Sequence, residues 1–170
     1  MKMIRAFNGK TPKIAASAFL SESSYVIGDV EIGENSGIWP GAVIRADFAK
    51  IKIGSNTMVE DNSVLHSGAF MEIGNNVIIG HGVVVHGKKI GHYNLIGNNA
   101  TLLDDSEIGD CCIIGAGSVV SQGMKIPDNS LVVGIPAKIK RQNHPTITDA
   151  LKQGAKAYEE LLKQYKTQGL

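Results

Sequence analysis

Three of the five histidines in this 170-residue chain, His66, His81 and His86, fall in one stretch of sequence, near Arg45, Asp47, Glu60 and Asp61. Neutral imidazole is a common ligand for divalent metals. Three imidazoles leave a tetrahedral ion one open position, where bound water is acidified to a pKa of about 7. Taken singly, each of these residues also has an ordinary surface reading. A lone histidine such as His92 or His144 is a solvated polar group, Arg45 and Asp47 can form a surface ion pair, and Glu60 and Asp61 can be exposed carboxylates. The chemistry therefore depends on whether the fold brings the histidines together.

The elements that must do so are visible as a repeat. Ile14, Leu20, Val26, Ile32, Ile38 and Ile44 lie six apart without a break. The spacing resumes at Ile53, Val59 and Leu65, again at Ile73, Ile79 and Val85, and finally from Ile90 through Ile96, Leu102, Ile108, Ile114, Val120 and Ile126 to Val132. Glycine often follows the aliphatic residue, and a small or β-branched residue commonly sits four places after it, with Asn94 and Met124 as exceptions. A period of six fits neither the 3.6-residue helix nor simple strand alternation, but it fits a short strand and a turn repeated. Three units close one coil, and stacked coils place the aliphatic residues in ladders about 4.8 Å apart.

The repeat is interrupted between Ile44 and Ile53, between Leu65 and Ile73, and between Val85 and Ile90, each time beside the polar residues named above. His66 directly follows Leu65 and His86 directly follows Val85, and these two aliphatics carry the same index in consecutive coils. The two imidazoles are thus expected to stack on one face, at a spacing compatible with nitrogens about 2.0–2.1 Å from one zinc ion. His81 sits one place later in its own hexad, which assigns it to the adjacent face.

After Ile135-Pro136-Ala137-Lys138 the period stops. From Thr148 a helical pattern begins, with Leu151, Ala155, Tyr158, Leu162 and Tyr165 three or four apart and Thr148 as the expected N-cap ahead of Asp149. The expectation is an all-β domain over residues 1–140, with residues 141–170 forming a helix on its flank or on a neighbouring subunit. Charge is nearly balanced, 17 Lys+Arg against 16 Asp+Glu, which gives no field to recruit nucleic acid or an anionic membrane. No signal peptide or membrane-spanning run is evident, so a cytoplasmic protein is expected. The adjacent Cys111 and Cys112 suit neither a disulfide framework nor paired zinc thiolates. By its index Cys112 takes a small inward position.

At Gly41–Asp47 (Gly-x-Val-Ile-Arg-x-Asp), Asp61–His66 (Asp-Asn-Ser-Val-Leu-His) and Gly80–His86 (Gly-His-x4-His) the sequence resembles the gamma-class carbonic anhydrases. That resemblance covers nearly the whole chain. It implies a left-handed parallel β-helix of hexapeptide repeats and a homotrimer whose metal lies between subunits, held by His66 and His86 of one chain and His81 of the next. It also implies zinc, with iron(II) or cobalt(II) as alternatives, and reversible hydration of CO2 to bicarbonate. Arg45 and Asp47 are implied to tie subunits together near the metal, Glu60 and Asp61 to orient the nucleophile, and Tyr158 to approach the site from the C-terminal helix. The chain departs from the family pattern in carrying Glu60 where a glutamine is usual, Glu160 where some members have an asparagine, and Phe48 and the short Ser67–Phe70 segment where well-known active members are acidic. Two other readings share the repeat. A hexapeptide acyltransferase needs one histidine base and a groove for coenzyme A, and a metal-holding trimeric scaffold needs no activity at all.

Overall fold

The aliphatic residues spaced by six form three ladders in the computed structural model, which describes residues 3–142 and 145–169. His144 lies outside the described residues. One ladder runs Ile14, Ile32, Ile53, Ile73, Ile90, Ile108, Ile126. A second runs Leu20, Ile38, Val59, Ile79, Ile96, Ile114, Val132, and a third Val26, Ile44, Leu65, Val85, Leu102, Val120. All of them are buried except Ile14, which packs partly buried against the same core. The pairing is parallel throughout the coils, and the chain is a left-handed parallel β-helix of about seven turns, closed by the antiparallel pair Ser130–Gly134 and Ala137–Gln142.

Most strands are only two residues long because each coil must turn three times. Many turns use a left-handed residue three places after the ladder aliphatic, often asparagine: Asn35, Asn56, Asn62, Asn76, Asn99 and Asn129 all have φ between 53° and 58°. Asparagine tolerates that region better than other non-glycine residues. The small inward positions hold hydroxyls that satisfy the corner backbone: Ser63 Oγ donates to Gly80 O at 2.7 Å and accepts from Val83 N at 3.0 Å. Asn94, an exception to the small-residue rule, is buried and bonded at both ends of its amide, to Gly109 O and Cys112 N.

Outward residues distinguish the three faces. On the first, the positions before the ladder residues alternate Lys13, Glu31, Lys52, Glu72, Lys89, Glu107, Lys125 from coil to coil. This charged face stays solvated. The second face is covered by α1 (Pro145–Thr167), whose Leu162, Tyr158 and Tyr165 pack on Phe19, Trp39 and Met58. Trp39 and Tyr165 meet edge to face at 4.9 Å. The third face carries the outward row Tyr25, Val43, Val64, Val84, Thr101, Val119, every one of them half-buried or exposed in the single chain, with the Ala137–Gln142 strand touching only the last coil, at Val119–Val120.

The helix start differs from the sequence expectation. The helix begins at Pro145, three residues before the anticipated cap, so Thr148 lies inside the first turns and Asp149 beyond the first; proline's fixed φ suits a helix start. The first break in the repeat lies within a strand. Val43–Ile53 is one continuous strand that rounds a corner beside Tyr25–Ile32, and its extra residues bulge between the registers Gly28↔Ala46 and Val30↔Ile51. Gly28 permits this crossing, with φ +87° and a hypothetical Cβ only 2.2 Å from Ala46 O. Gly28→Ala is therefore expected to cost about 3 kcal/mol and to lower the thermal midpoint by roughly 10 °C. An unchanged melting curve would show that this corner has slack. No helix among the described residues is long and apolar enough to cross a membrane.

Candidate metal centre

The bulge at Asp47 and the turns after Leu65 and Val85 lie together at one edge of the third face. Arg45 pairs with His66 across the strands, and His86 occupies the equivalent place one coil further on. His66 is buried, and its Nδ1 lies 3.2 Å from His86 Nε2. The other nitrogen of each ring is engaged by a carboxylate: His66 Nε2 by Asp47 Oδ1 at 3.0 Å, and His86 Nδ1 by Asp104 Oδ1 at 3.3 Å. A carboxylate requires an N–H donor, so these contacts leave acceptor nitrogens facing one another. Two such nitrogens suit a shared cation, because ligands on a tetrahedral ion with bonds of 2.0–2.1 Å stand about 3.3–3.4 Å apart.

Asp47 is the hub of this edge. Burial would raise its pKa, but hydrogen bonds from Arg45 and His66 outweigh that and hold the carboxyl below its usual range. It therefore stays an anion beside the histidine pair. Phe48, 76 % exposed, leans edge-on against His66 with ring centroids 5.7 Å apart.

The remaining predicted residues gather at the opposite edge of the same face, on the corner shared with the helix-covered face. His81 places Nδ1 3.0 Å from Asp61 Oδ2 and Nε2 3.2 Å from Glu60 Oε2. Its backbone N–H is fixed by Asn98 Oδ1. Glu60 is buried, and Tyr158 of α1 lines the same cleft beside it. Burial, reinforced by that carboxylate, pushes the Tyr158 pKa well up, so the phenol remains a donor. Trp39, Glu60, Asp61, His81, Tyr158 and Tyr165 line a cleft of about 210 Å³.

The sequence-derived residues thus fall into two groups: Arg45, Asp47, His66 and His86 at one edge, and Glu60, Asp61, His81 and Tyr158 at the other. Among the described residues of a single chain, no three metal-binding side chains converge. Asp104 was not anticipated. Its signal was available, since it follows Leu102 by two places and Leu102 lies beside Val85 in the next coil. Cys112 is buried as its index required, and burial lifts its thiol to about 11, which keeps it protonated; Cys111 is a half-buried free thiol.

A family model described as bacterial transferase hexapeptide (six repeats) matches residues 87–122. A carbonic anhydrase from Geobacillus kaustophilus is 40% identical over 142 residues, covering 82% of this chain and 78% of that protein. Mitochondrial gamma carbonic anhydrase 2 of Arabidopsis thaliana is 35% identical over 160 residues, covering 88% of this chain and 56% of that protein, so the chain spans little more than half of the plant relative. Among solved structures, a hexapeptide transferase family protein from Anaplasma phagocytophilum superposes with TM-score 0.92 at 31% identity, covering 96% of this chain and 98% of that one. A putative acetyltransferase from Bacillus cereus gives TM-score 0.84 at 37% identity, with 98% of each chain covered.

Proposed function

Because the chain belongs to the gamma carbonic anhydrase family of hexapeptide-repeat proteins, we propose that it is a metal-dependent carbonic anhydrase, interconverting CO2 and bicarbonate at sites shared between the subunits of a homotrimer. The observation that carries this reading is the pair of ring nitrogens of His66 and His86, 3.2 Å apart and each backed by a carboxylate. His81 stands at the far edge of the same third face. In a closed ring of identical subunits, one edge of each chain meets the other edge of its neighbour, and such a heterologous contact would bring His81 to the pair.

The donor set fits zinc, with iron(II) or cobalt(II) also compatible with imidazole ligands. A divalent ion held by His66, His86 and His81 would supply Lewis acidity that makes water acidic near neutral pH. The chain's own groups perform the rest. Glu60, buried beside His81, presents an acceptor that can orient the attacking water. Asp61, whose side chain is 39% exposed, connects the corner to solvent, where the proton released with each bicarbonate must go. Asp47 keeps the His66 ring in place and ties Arg45 to the same edge.

The test is metal analysis of freshly purified protein followed by a CO2 hydration assay. One metal ion per chain and hydration abolished by a chelator are the expected results. Metal-free protein that releases thiol from acetyl-CoA in the presence of an acceptor would instead favour the transferase activity that the names of the solved relatives carry. Full metal without hydration would leave a scaffold.

A further inference from the structure

Each of the three histidines has an aspartate on one ring nitrogen, Asp47 on His66, Asp61 on His81 and Asp104 on His86, and His81 alone meets a second carboxylate, Glu60, on the other. The first two aspartates belong to the motifs that carry the family resemblance, and Asp104 does not. We propose that Asp104 is a positioning residue of the metal centre, accepting the Nδ1–H of His86 and so holding that ring in the tautomer whose Nε2 is free to bind metal. The inference rests on the site reading above and extends it to a residue one coil away.

The backbone explains why Asp104 can do this. His86 N–H donates to Leu102 O at 2.8 Å, which locks the two coils in register at this point. Three residues after Leu102 the chain turns through Asp105 at φ +58°, and Asp104 is left at the corner with its carboxylate 3.3 Å from the imidazole. Among the described residues no lysine or arginine forms an ion pair with it, so its one side-chain partner is His86. Both groups are partly solvated, with side-chain exposures of 35% for His86 and 55% for Asp104. A contact that exposed adds little to folding, and removing it should leave the β-helix intact. Its effect lies in orientation: an imidazole without an outer partner divides between tautomers and rotates, whereas one held by a carboxylate presents a single nitrogen and is more basic.

The experiment compares wild type with Asp104→Ala and Asp104→Asn, using zinc alone as the probe. Zinc affinity is measured by competition with a chelator, assembly by light scattering, and the His86 tautomer by 15N NMR of metal-free protein, read at a pH where the 15N shifts themselves show a neutral ring. In wild type the His86 proton is expected on Nδ1. Asp104→Ala should lose that preference and bind zinc roughly 10–100-fold more weakly with unchanged assembly. Asp104→Asn keeps an acceptor oxygen and should retain most of both. Zinc affinity within twofold of wild type in Asp104→Ala would overturn the proposal, as would weakened zinc with an unchanged tautomer. If wild type takes up no zinc, the reading of the site fails, and the tautomer still decides the role of Asp104: a His86 proton on Nε2 refutes it.

Discussion

A His81→Ala chain and a His66→Ala chain should each be metal-poor when assembled alone, and a refolded equal mixture of the two should regain metal and CO2 hydration at about one quarter of its interfaces. Each variant leaves only two imidazoles at every site. Loss of an outer-shell partner alone weakens metal binding 10–100-fold, so loss of a ligand is expected to exceed about a hundredfold. In the mixture, a site is complete where a His81→Ala chain supplies His66 and His86 and a His66→Ala chain supplies His81. Random assembly gives that arrangement at one interface in about four. The chain's geometry requires it: His66 and His86 face each other at one edge, while His81 is held at the other by Asp61 and Glu60. A site within one chain could never be repaired this way. Mixed trimers confirmed by mass, with metal still at the level of the separate variants, would remove the shared site.

The parts of the fold that the sequence made legible are those set by a strict period. Ile38, Val59, Ile79 and Ile96 recur as inward ladder residues because a β-helix offers one buried slot per strand and little else to decide. The stacking of His66 and His86 followed from the same index, since a residue directly after a ladder position must point outward beside its counterpart in the next coil. His81 was expected on the adjacent face; it lies on the corner between that face and the one bearing the pair, because Ile79 stands in the second ladder whereas Leu65 and Val85 stand in the third. What could not be read were contacts made across the period. The corner at Gly28, where two strands run on without a turn, depends on a backbone approach that a spacing of six does not encode. The helix start at Pro145 was obscured because the apolar stripe begins later than the helix itself. Asp104 escaped because a single aspartate in a turn is ordinary until the coil above is known to carry His86.

The third face carries the other large expected effect. If the proposed homotrimer assembles through this face, Val84→Lys is expected to leave monomers at micromolar concentration that bind no metal, while Glu72→Lys on the charged face leaves assembly and metal unchanged. In the isolated chain Val84 is 37% exposed, so a lysine there reaches water and the β-helix keeps its fold and its circular dichroism. Pressed against a neighbour, the same ammonium would lie within the apolar row formed by Val43, Val64 and Val119, uncompensated. A buried unpaired charge of this kind costs about 3 kcal/mol or more at each contact, which is over a hundredfold in association. The cost recurs at every interface of a closed ring. Glu72 differs because it lies among Lys52 and Lys89 on a solvated face, where reversing one charge loses the 3.0 Å pair with Lys52 and less than about 1 kcal/mol. Comparing the two variants by light scattering separates a face that assembles from one that does not. A Val84→Lys protein that remains trimeric with full metal would place the interface elsewhere, and with it the meeting of His81 with His66 and His86.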